Sequence, residues 1–221
     1  MSGALDWSPL WLSMRVAGLA TVGATFVGTI VAYALAEGRW RGRDVIESIT
    51  TLPLILPPTV LGYSLLVALG RQSAVGAFFE RVTGVSLVFT WQGAVVAAGV
   101  AAFPYIVRTG RAAFEQVDTS AVEAARIDGA GRAQQFLFVL LPLARRGIAA
   151  GVALAFARAL GEFGATLMVA GNIPGRTQTM PLAIYDAVQA GAWDAARVMV
   201  TILTVLALGV LLIVGRLGAK V

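Results

Sequence analysis

Arg158 and Glu162 are the only charged residues that lie well inside an apolar run of this 221-residue chain. Because they stand four residues apart, both fall on one face of a helix. A charge near the centre of a bilayer costs at least about 2.5 kcal/mol, so such residues usually face protein or a water-filled cavity. Two interpretations remain open. Either Arg158 attracts an anion while Glu162 orients its guanidinium, or the pair neutralises itself and joins neighbouring helices.

The side chains that most enzymes use for catalysis are missing from this chain. It has no histidine and no cysteine, which excludes histidine-based triads, the usual zinc sites and thiol chemistry. Its only lysine, Lys220, is next to the C-terminus, so no phosphate-binding Walker A loop can form. We therefore expect no catalytic residue, no metal site and no cofactor in this chain. An intramembrane enzyme is a poor alternative.

Composition indicates an integral membrane protein, because 58% of the residues are hydrophobic and only 13% are charged. The net charge of +5 could suggest nucleic acid, but the charges lie between apolar runs, so no nucleic-acid partner is expected. The apolar runs predict an all-α protein with a single domain, residues 1–221, and about five transmembrane helices in a lipid bilayer. The predicted spans are residues 12–36, 48–69, 86–107, 147–170 and 198–216.

Prolines divide the second predicted span. Pro53, Pro57 and Pro58 remove backbone donors, so this helix should be broken or kinked, with freed carbonyls facing protein or a pathway. A role in a pathway and a simple packing kink are equally open. Farther along the chain, Thr179 followed by Pro181 predicts the start of a further helix.

The longest polar interval, residues 108–146, separates the third and fourth predicted spans. Within it, Ser120 and Glu123 have the spacing of a capping box, and Gly129 stands where a left-handed residue would end a helix. A second apolar turn follows at residues 136–141, and Pro142 is expected to break it. The interval therefore predicts a short surface helix, a glycine corner and a return to the membrane.

This interval resembles the coupling loop of binding-protein-dependent ABC importer permeases. The family pattern is E-A-A, three residues, Gly, nine residues, an aliphatic residue, one residue and Leu-Pro. It falls on Glu123, Ala124, Ala125, Gly129, Val139, Leu141 and Pro142. An isolated E-A-A would favour a capping residue followed by helix-forming alanines, whereas the complete spacing favours the coupling loop.

The resemblance implies a type I ABC importer permease fold with a cytoplasmic coupling helix. It also implies that the loop docks on a separate ATPase subunit, which would bind ATP and Mg²⁺. The residues that it implicates in ATPase coupling are Ser120, Glu123, Ala124, Ala125, Asp128, Gly129, Leu141 and Pro142.

Three further segments look like the molybdate branch of the molybdate/sulfate permeases. They are LPLILPPTVLGY at residues 52–63, AFARALGEFGAT at residues 155–166 and GNIPGRTQTMP at residues 171–181. The GEFGA part is shared with sulfate permeases, so sulfate and tungstate remain alternatives to molybdate. A channel or secondary transporter would also need broken helices and a buried charge, but it would make the coupling-loop spacing a coincidence.

The resemblance further implies an assembly. Two copies of the chain would form one oxyanion pathway, above an ABC ATPase dimer and beneath a periplasmic molybdate-binding protein. The candidate pathway residues are Pro57, Pro58, Thr59, Arg158, Glu162, Gly164 and Thr166. Because a tetrahedral dianion needs hydrogen-bond donors, hydroxyls and backbone N–H groups near Thr59, Tyr63, Thr166 and Asn172 are the candidate contacts.

Basic residues predict the orientation in the membrane. The segments 37–47 and 108–146 and the C-terminal tail hold eleven of the 17 basic residues, against five in the N-terminal segment and the other two connections. Because basic residues favour the cytoplasmic side, the polar interval and the C-terminus should be cytoplasmic and the N-terminus outside. The resemblance places the chain in a bacterial inner membrane.

Overall fold

The computed structural model describes residues 6–38 and 40–219, with side chains as far as residue 212 in the last helix. Every regular element in these ranges is helical, which confirms the all-α prediction. The helices are α1 (Ser8–Ala36), α2 (Arg43–Ile55), α3 (Pro58–Leu69), α4 (Ala74–Thr83), α5 (Trp91–Glu115), α6 (Thr119–Ile127), α7 (Arg132–Gln135), a π-helical segment (Phe136–Leu140), α8 (Leu141–Leu160), α9 (Gly164–Ala170), α10 (Met180–Gln189) and α11 (Trp193–Ala219). Lys220, Arg39 and residues 1–5, which entered the orientation argument, lie outside the described residues.

The centre of the bundle is formed by α1, α5 and α8. Their contacting faces are rich in alanine and glycine, because close helix packing in lipid depends on small side chains. A Cβ atom at Gly28 would lie 2.7 Å from the Ile106 side chain, so α1 and α5 approach closely here. Gly110 packs on Ala32 in the same direction, so α1 and α5 run parallel, whereas Gly151 of α8 packs on Thr109 and Gly147 on Ala113, an antiparallel arrangement.

The two ends of this bundle differ in what they carry. We call the end that holds Glu115 and the helix α6 the α6 end, and the end that holds Trp91 and α10 the α10 end. At the α10 end, the Met180 amide donates a buried hydrogen bond of 2.7 Å to the Ser13 hydroxyl, which attaches α10 to α1. The predicted helix start at Thr179 is confirmed, since α10 begins at Met180 with Pro181 in its first turn.

The prediction of a broken second span is confirmed by a bend of 118° between α2 and α3, at Pro57 and Pro58. Pro53 lies inside α2 and does not end it, so its expected contribution to the break was wrong. The start of α2 is tied to the far end of α5, where Arg43 pairs with Glu115. The end of α3 lies at the opposite end of the bundle, because Leu69 packs in one cluster with Leu87. The bent pair therefore connects the two ends. With α1, α5, the continuous Arg132–Leu160 helix and α11, the described residues contain up to five segments apolar and long enough to cross a membrane.

Several boundaries differ from those expected. Helix α5 continues to Glu115 and α8 begins at Leu141, so both ends of the interval 108–146 are helical extensions of membrane spans. The expectation that Pro142 breaks the helix was wrong. The Leu141 amide reaches back to the Phe136 carbonyl in a widened π turn, and this turn accommodates a residue that has no backbone donor. The fourth span is itself interrupted, between Leu160 and Gly164.

Candidate coupling segment and candidate pathway

Helix α6 is a surface helix that begins at a different residue from the one expected. Asp118 is its N-cap, and its carboxylate accepts a hydrogen bond of 2.9 Å from the Ser120 amide. Ser120 lies inside the helix, so the Ser120–Glu123 capping box was wrong. Aspartate caps as well as serine does, and a cap two residues earlier leaves Ser120 a first-turn position. The hydroxyl and then the amide of Ser120 hold the pKa of Asp118 below its usual 3.8.

The glycine corner after α6 is present. Gly129 has φ +85°, and the Ala130 amide donates to the Ala125 carbonyl at 2.9 Å, which closes the helix end. No residue of α6 is buried, and Ile127 is 86% exposed. Glu123, Ala124, Asp128 and Gly129 are exposed and Ala125 is half-buried, so the motif faces outward from the chain. Such an exposed face is what docking on another chain would require.

The segment after α6 packs on the bundle through aromatic rings. Phe136 contacts Tyr33 with ring centroids 4.6 Å apart, and Phe114 lies 5.8 Å from Tyr33. The π-helical segment then leads without a break into α8, with half-buried Leu141 and exposed Pro142 in its first turn. The coupling motif therefore spans two elements. Its first half lies on α6, which has no buried residue, and its second half lies at the start of the membrane helix α8.

An ion network holds α2 against α5 beside this segment. Glu115 binds Arg43 at 3.3 Å and Arg111 at 2.7 Å, and Arg111 also binds Glu47 at 2.5 Å. The sequence analysis did not predict this network. The spacing of Arg111 and Glu115, four residues apart at the end of a span, was the pattern that could have indicated it. It fixes the entry of the broken α2–α3 pair to the end of the bundle that carries α6.

The two helix breaks meet in the middle of the bundle. Gly164 opens α9 against α3, where a Cβ atom would lie only 2.6 Å from Pro58. One turn later, a Cβ atom at Gly62 would lie 2.7 Å from the Met168 side chain. The half-helices α3 and α9 therefore run side by side and start at the same level. The sequence predicted the first break and missed the second.

Arg158 and Glu162 form the ion pair that their spacing suggested. The Arg158 guanidinium lies 2.6 Å from a Glu162 carboxylate oxygen, with side chains 28% and 2% exposed. Glu162 is located in the break and not on the helix as expected. Its second oxygen accepts a hydrogen bond of 2.8 Å from the Ala165 amide, so the carboxylate joins the end of α8 to the start of α9.

The expected pathway residues divide into two groups. Pro57, Pro58 and Thr59 are exposed on the surface of the chain, as is Tyr63. Glu162 and Thr166 are buried within the single chain, whereas Arg158 and Gly164 are intermediate. The structure thus brings Pro58, Gly164 and the Arg158–Glu162 pair together at the breaks, whereas Thr166 is buried in α9.

A polar clamp at the α10 end was not anticipated. Asp186 of α10 accepts hydrogen bonds of 2.7 Å from the side-chain amides of both Asn172 and Gln178. The Asn172 amide nitrogen is therefore occupied, and its carbonyl oxygen is buried without a partner among the described residues. A lone aspartate in an apolar helix was the signal available in the sequence.

Comparison with known proteins identifies the group to which this architecture belongs. Residues 24–220 match the family described as "Binding-protein-dependent transport system inner membrane component". The molybdenum transport system permease protein ModB of Escherichia coli (strain K12) is 43% identical over 197 residues, 88% of this chain and 86% of that protein. A chloroplastic sulfate permease of Chlamydomonas reinhardtii is 38% identical over 85% of this chain and 50% of that protein. The inward-facing MetNI methionine ABC transporter shares the fold, with a TM-score of 0.76, 19% identity and coverage of 99% of this chain and 98% of that chain.

Proposed function

The chain belongs to the family of binding-protein-dependent transport system inner membrane components, and on that premise we propose that it is the permease subunit of an ATP-driven molybdate importer. The observation that carries the proposal is 43% identity to a molybdenum transport permease over 88% of the chain. It agrees with a multi-pass helical bundle that projects an exposed helix at one end. The protein transports and does not itself catalyse a reaction.

The partner of α6 in this proposal is an ABC ATPase subunit, which binds ATP and Mg²⁺. Two features support a docked partner. No α6 side chain is buried in its own chain, and recesses of about 440 Å³ and 630 Å³ flank the helix on its two sides. Exposed Ile127 and Phe138 offer apolar surface that a groove on the ATPase would cover.

A second copy of the chain completes the pathway. Pro57, Pro58 and Thr59 form a helix break on an exposed face, and non-helical backbone is not tolerated against lipid tails. The break must therefore face protein or water. A second copy of the chain that faces it would cover part of the break and enclose a water-filled space beside it. The α2–α3 break of each copy would face that of the other copy across a shared, water-filled route. Arg158 would lie near this route, and Glu162 would keep its guanidinium in place.

In this scheme a periplasmic binding protein delivers molybdate at the α10 end, and the α6 end lies in the cytoplasm. The C-terminus is then cytoplasmic and the N-terminus outside. Closure of the ATPase dimer would move α6, and the continuous helix from Arg132 to Leu160 would carry that displacement into the bundle. The helix break before Gly164 would allow α9 and α3 to change the side to which the route opens.

Sulfate is the second candidate substrate, because a sulfate permease is 38% identical to this chain over 187 residues. Molybdate, tungstate and sulfate are tetrahedral dianions of similar hydrogen-bonding chemistry. The external binding protein is therefore expected to supply most of the discrimination among them.

The proposal is tested by uptake of labelled molybdate into proteoliposomes that hold this chain and its ATPase, with binding protein outside and ATP inside. Tungstate and sulfate are added in excess as competitors. We expect ATP-dependent uptake that excess sulfate leaves intact. Uptake abolished by sulfate would keep the importer class and assign the substrate to sulfate, and uptake that ignores ATP would contradict the role of α6.

A further inference from the structure

Two recesses follow one another along α1 and α5, from the α10 end towards the middle of the bundle, and together they are called the groove. On α1 its lining residues recur every three or four positions from Ser8 to Val27, and on α5 they run from Trp91 to Phe103. This period keeps them on one face of each helix. The groove has a polar mouth of about 470 Å³ and an apolar stem of about 510 Å³.

The polar mouth carries positive charge. Arg15 and Arg176 both line it, together with Thr90, Gln92 and Gln178. The Arg15 guanidinium carbon lies 3.8 Å from the centroid of the Trp91 ring, a stacking contact that leaves the edges of the guanidinium free to donate hydrogen bonds. Two carboxylates bind residues of the mouth without lining it. Asp6 accepts hydrogen bonds from the Ser8 amide at 2.9 Å and the Ser8 hydroxyl at 2.8 Å, and Asp186 accepts one from the Gln178 side chain at 2.7 Å.

The apolar stem lies directly beyond the mouth, and the distance from Arg15 to the end of the stem is about the depth of one leaflet. It is lined by Leu19, Gly23, Val27, Val96 and Phe103, among other apolar residues. From Arg15 to Val27 the helix rises about 18 Å at 1.5 Å per residue, and half of a hydrocarbon core is about 15 Å. Beyond Val27 the groove closes, because Gly28 packs tightly against Ile106.

We propose that this groove is a binding site for one anionic phospholipid, with its phosphate between Arg15 and Arg176 and an acyl chain along Gly23 and Gly99. Charge complementarity at the mouth and apolar lining in the stem match the two parts of such a molecule. A transmembrane helix of a partner would need a groove across the full core of about 30 Å, and this one ends at half that depth. Trp7 and Trp11, 54% and 76% exposed, place the membrane interface at the level of the mouth.

The test measures lipid retention by native mass spectrometry on the full-length chain, after exchange into nanodiscs of phosphatidylglycerol or phosphatidylcholine with sixteen-carbon chains, about one leaflet long. The wild type should retain phosphatidylglycerol preferentially. The double variant Arg15→Gln/Arg176→Gln should bind it about tenfold more weakly, since each basic residue contributes to attraction for an anionic headgroup. Arg197→Gln, an exposed arginine at the same end but outside the groove, is the matched control and should leave retention unchanged.

A second pair of variants tests the stem. A Cβ atom at Gly23 or at Gly18 would meet nothing within 4 Å, so a side chain can start at either position without a clash, but of the two only Gly23 lines the groove. Gly23→Leu should reduce retention and Gly18→Leu should not. Equal retention of the two lipids by all variants would overturn the proposal. So would displacement of the bound species by inorganic phosphate or molybdate, which would make the mouth a site for free anions, or crosslinking from position 23 to another protein chain.

Discussion

At the scale of single residues, several helices of this chain start where a side-chain oxygen accepts a hydrogen bond from the first turn. Asp118 accepts from Ser120, Ser73 from Gly76 and Thr90 from Gly93, while buried Glu162 accepts from Ala165 at the start of α9. These acceptors compensate for backbone amides that a helix start leaves unpaired. Such compensation matters most in a membrane protein whose helices are interrupted, because each break adds a helix end.

The cap of α6 provides a prediction that separates two neighbouring residues. Asp118→Ala should speed hydrogen exchange of the first-turn amides of α6, whereas Asp118→Asn and Ser120→Ala should leave it close to wild type. Because the folded pKa of Asp118 is lowered, the stabilisation from the ionised cap is complete above pH 3.8 and is lost as the pH falls through the lower folded value. Exchange rates corrected for their intrinsic pH dependence should therefore show no titration of this cap near neutral pH. Faster exchange in Ser120→Ala would return the cap to Ser120.

Glu162 gives a second prediction at this scale. Glu162→Ala leaves Arg158 unpaired and the Ala165 amide without an acceptor, so stability should fall by about 3 kcal/mol. Glu162→Gln keeps an acceptor oxygen for Ala165 and should cost less. Thermal denaturation of the purified chain in detergent measures both. An equal loss of Tm in the two variants would assign the stabilisation to the ion pair alone and contradict the contribution of the hydrogen bond.

At the scale of elements, the non-α-helical segments of the bundle lie in two regions, which a long helix connects. The glycine corner at Gly129 and the π turn before Pro142 lie at the α6 end, while the breaks before Pro58 and Gly164 lie in the middle of the bundle. The continuous helix from Arg132 to Leu160 connects the two regions. A displacement at the α6 end should therefore be transmitted by this helix to the breaks in the middle of the bundle.

A substitution at Gly129 tests the connection between α6 and the long helix that begins at Arg132. A non-glycine residue in the left-handed region costs about 1–2 kcal/mol, and the cost is greatest for a β-branched residue. Because a Cβ atom at Gly129 would meet nothing within 4 Å, any effect of Gly129→Val must come from the backbone and not from a clash. We expect Gly129→Val to uncouple ATP hydrolysis from uptake and Gly129→Asn to be tolerated. Normal uptake by the valine variant would contradict this.

Gly164 tests the contact between the two half-helices. Gly164→Ala would press a methyl group against Pro58, and overpacking of this kind usually costs about 1–3 kcal/mol. Gly161→Ala, three residues earlier, is the control, since its Cβ atom would make an ordinary contact of 3.6 Å with the Ala157 carbonyl. We expect a lower Tm and slower uptake for Gly164→Ala only. Similar behaviour of the two variants would mean that α3 and α9 are free to separate.

At the scale of the whole molecule, polar and charged groups are concentrated at two opposite ends of an alanine-rich bundle. The ion network of Arg43, Glu47, Arg111 and Glu115 lies at the α6 end, and the Asp186 clamp lies at the α10 end. Between them, the Arg158–Glu162 pair is the one ion pair of the described residues that lies at a helix break within the bundle. This distribution fits a protein that meets water at both ends and crosses lipid between them.

The absence of cysteine makes the orientation easy to measure, because any introduced thiol is the only one. Ala192→Cys, exposed between α10 and α11, should react with a membrane-impermeant maleimide in intact spheroplasts. Ala133→Cys, exposed in α7, should react only in inverted vesicles. The opposite pattern would reverse the proposed orientation of both ends.

Sequence patterns were sufficient where the determinant was local. Apolar run length predicted about five spans, and adjacent Pro57 and Pro58 predicted the first break. A residue that precedes proline is biased towards extended backbone, and both Leu56 and Pro57 have this geometry. The polar interval, with Ala124 and Ala125 before Gly129, also predicted a short surface helix, and α6 confirms it.

Patterns failed where two local solutions were similar in energy or where tertiary context decided. Asp118 and Ser120 are both good caps, and sequence alone does not choose between them. Pro142 should end a helix, but a single π turn absorbs it at the root of α8. The break before Gly164 has no proline to mark it; it depends on Pro58 of another helix and on Glu162, which closes the gap from inside.

The lack of any buried residue in α6 has a consequence for exchange of parts between related proteins. Folding of the bundle places little constraint on those nine residues, so the main constraint on their sequence should come from the surface of a partner that they contact. A graft of Thr119–Ile127 from a homologous permease should leave the Tm of the chain nearly unchanged and alter which ATPase stimulates uptake. If α6 docks as proposed, its sequence can diverge between related permeases without changes in the packing of the membrane helices.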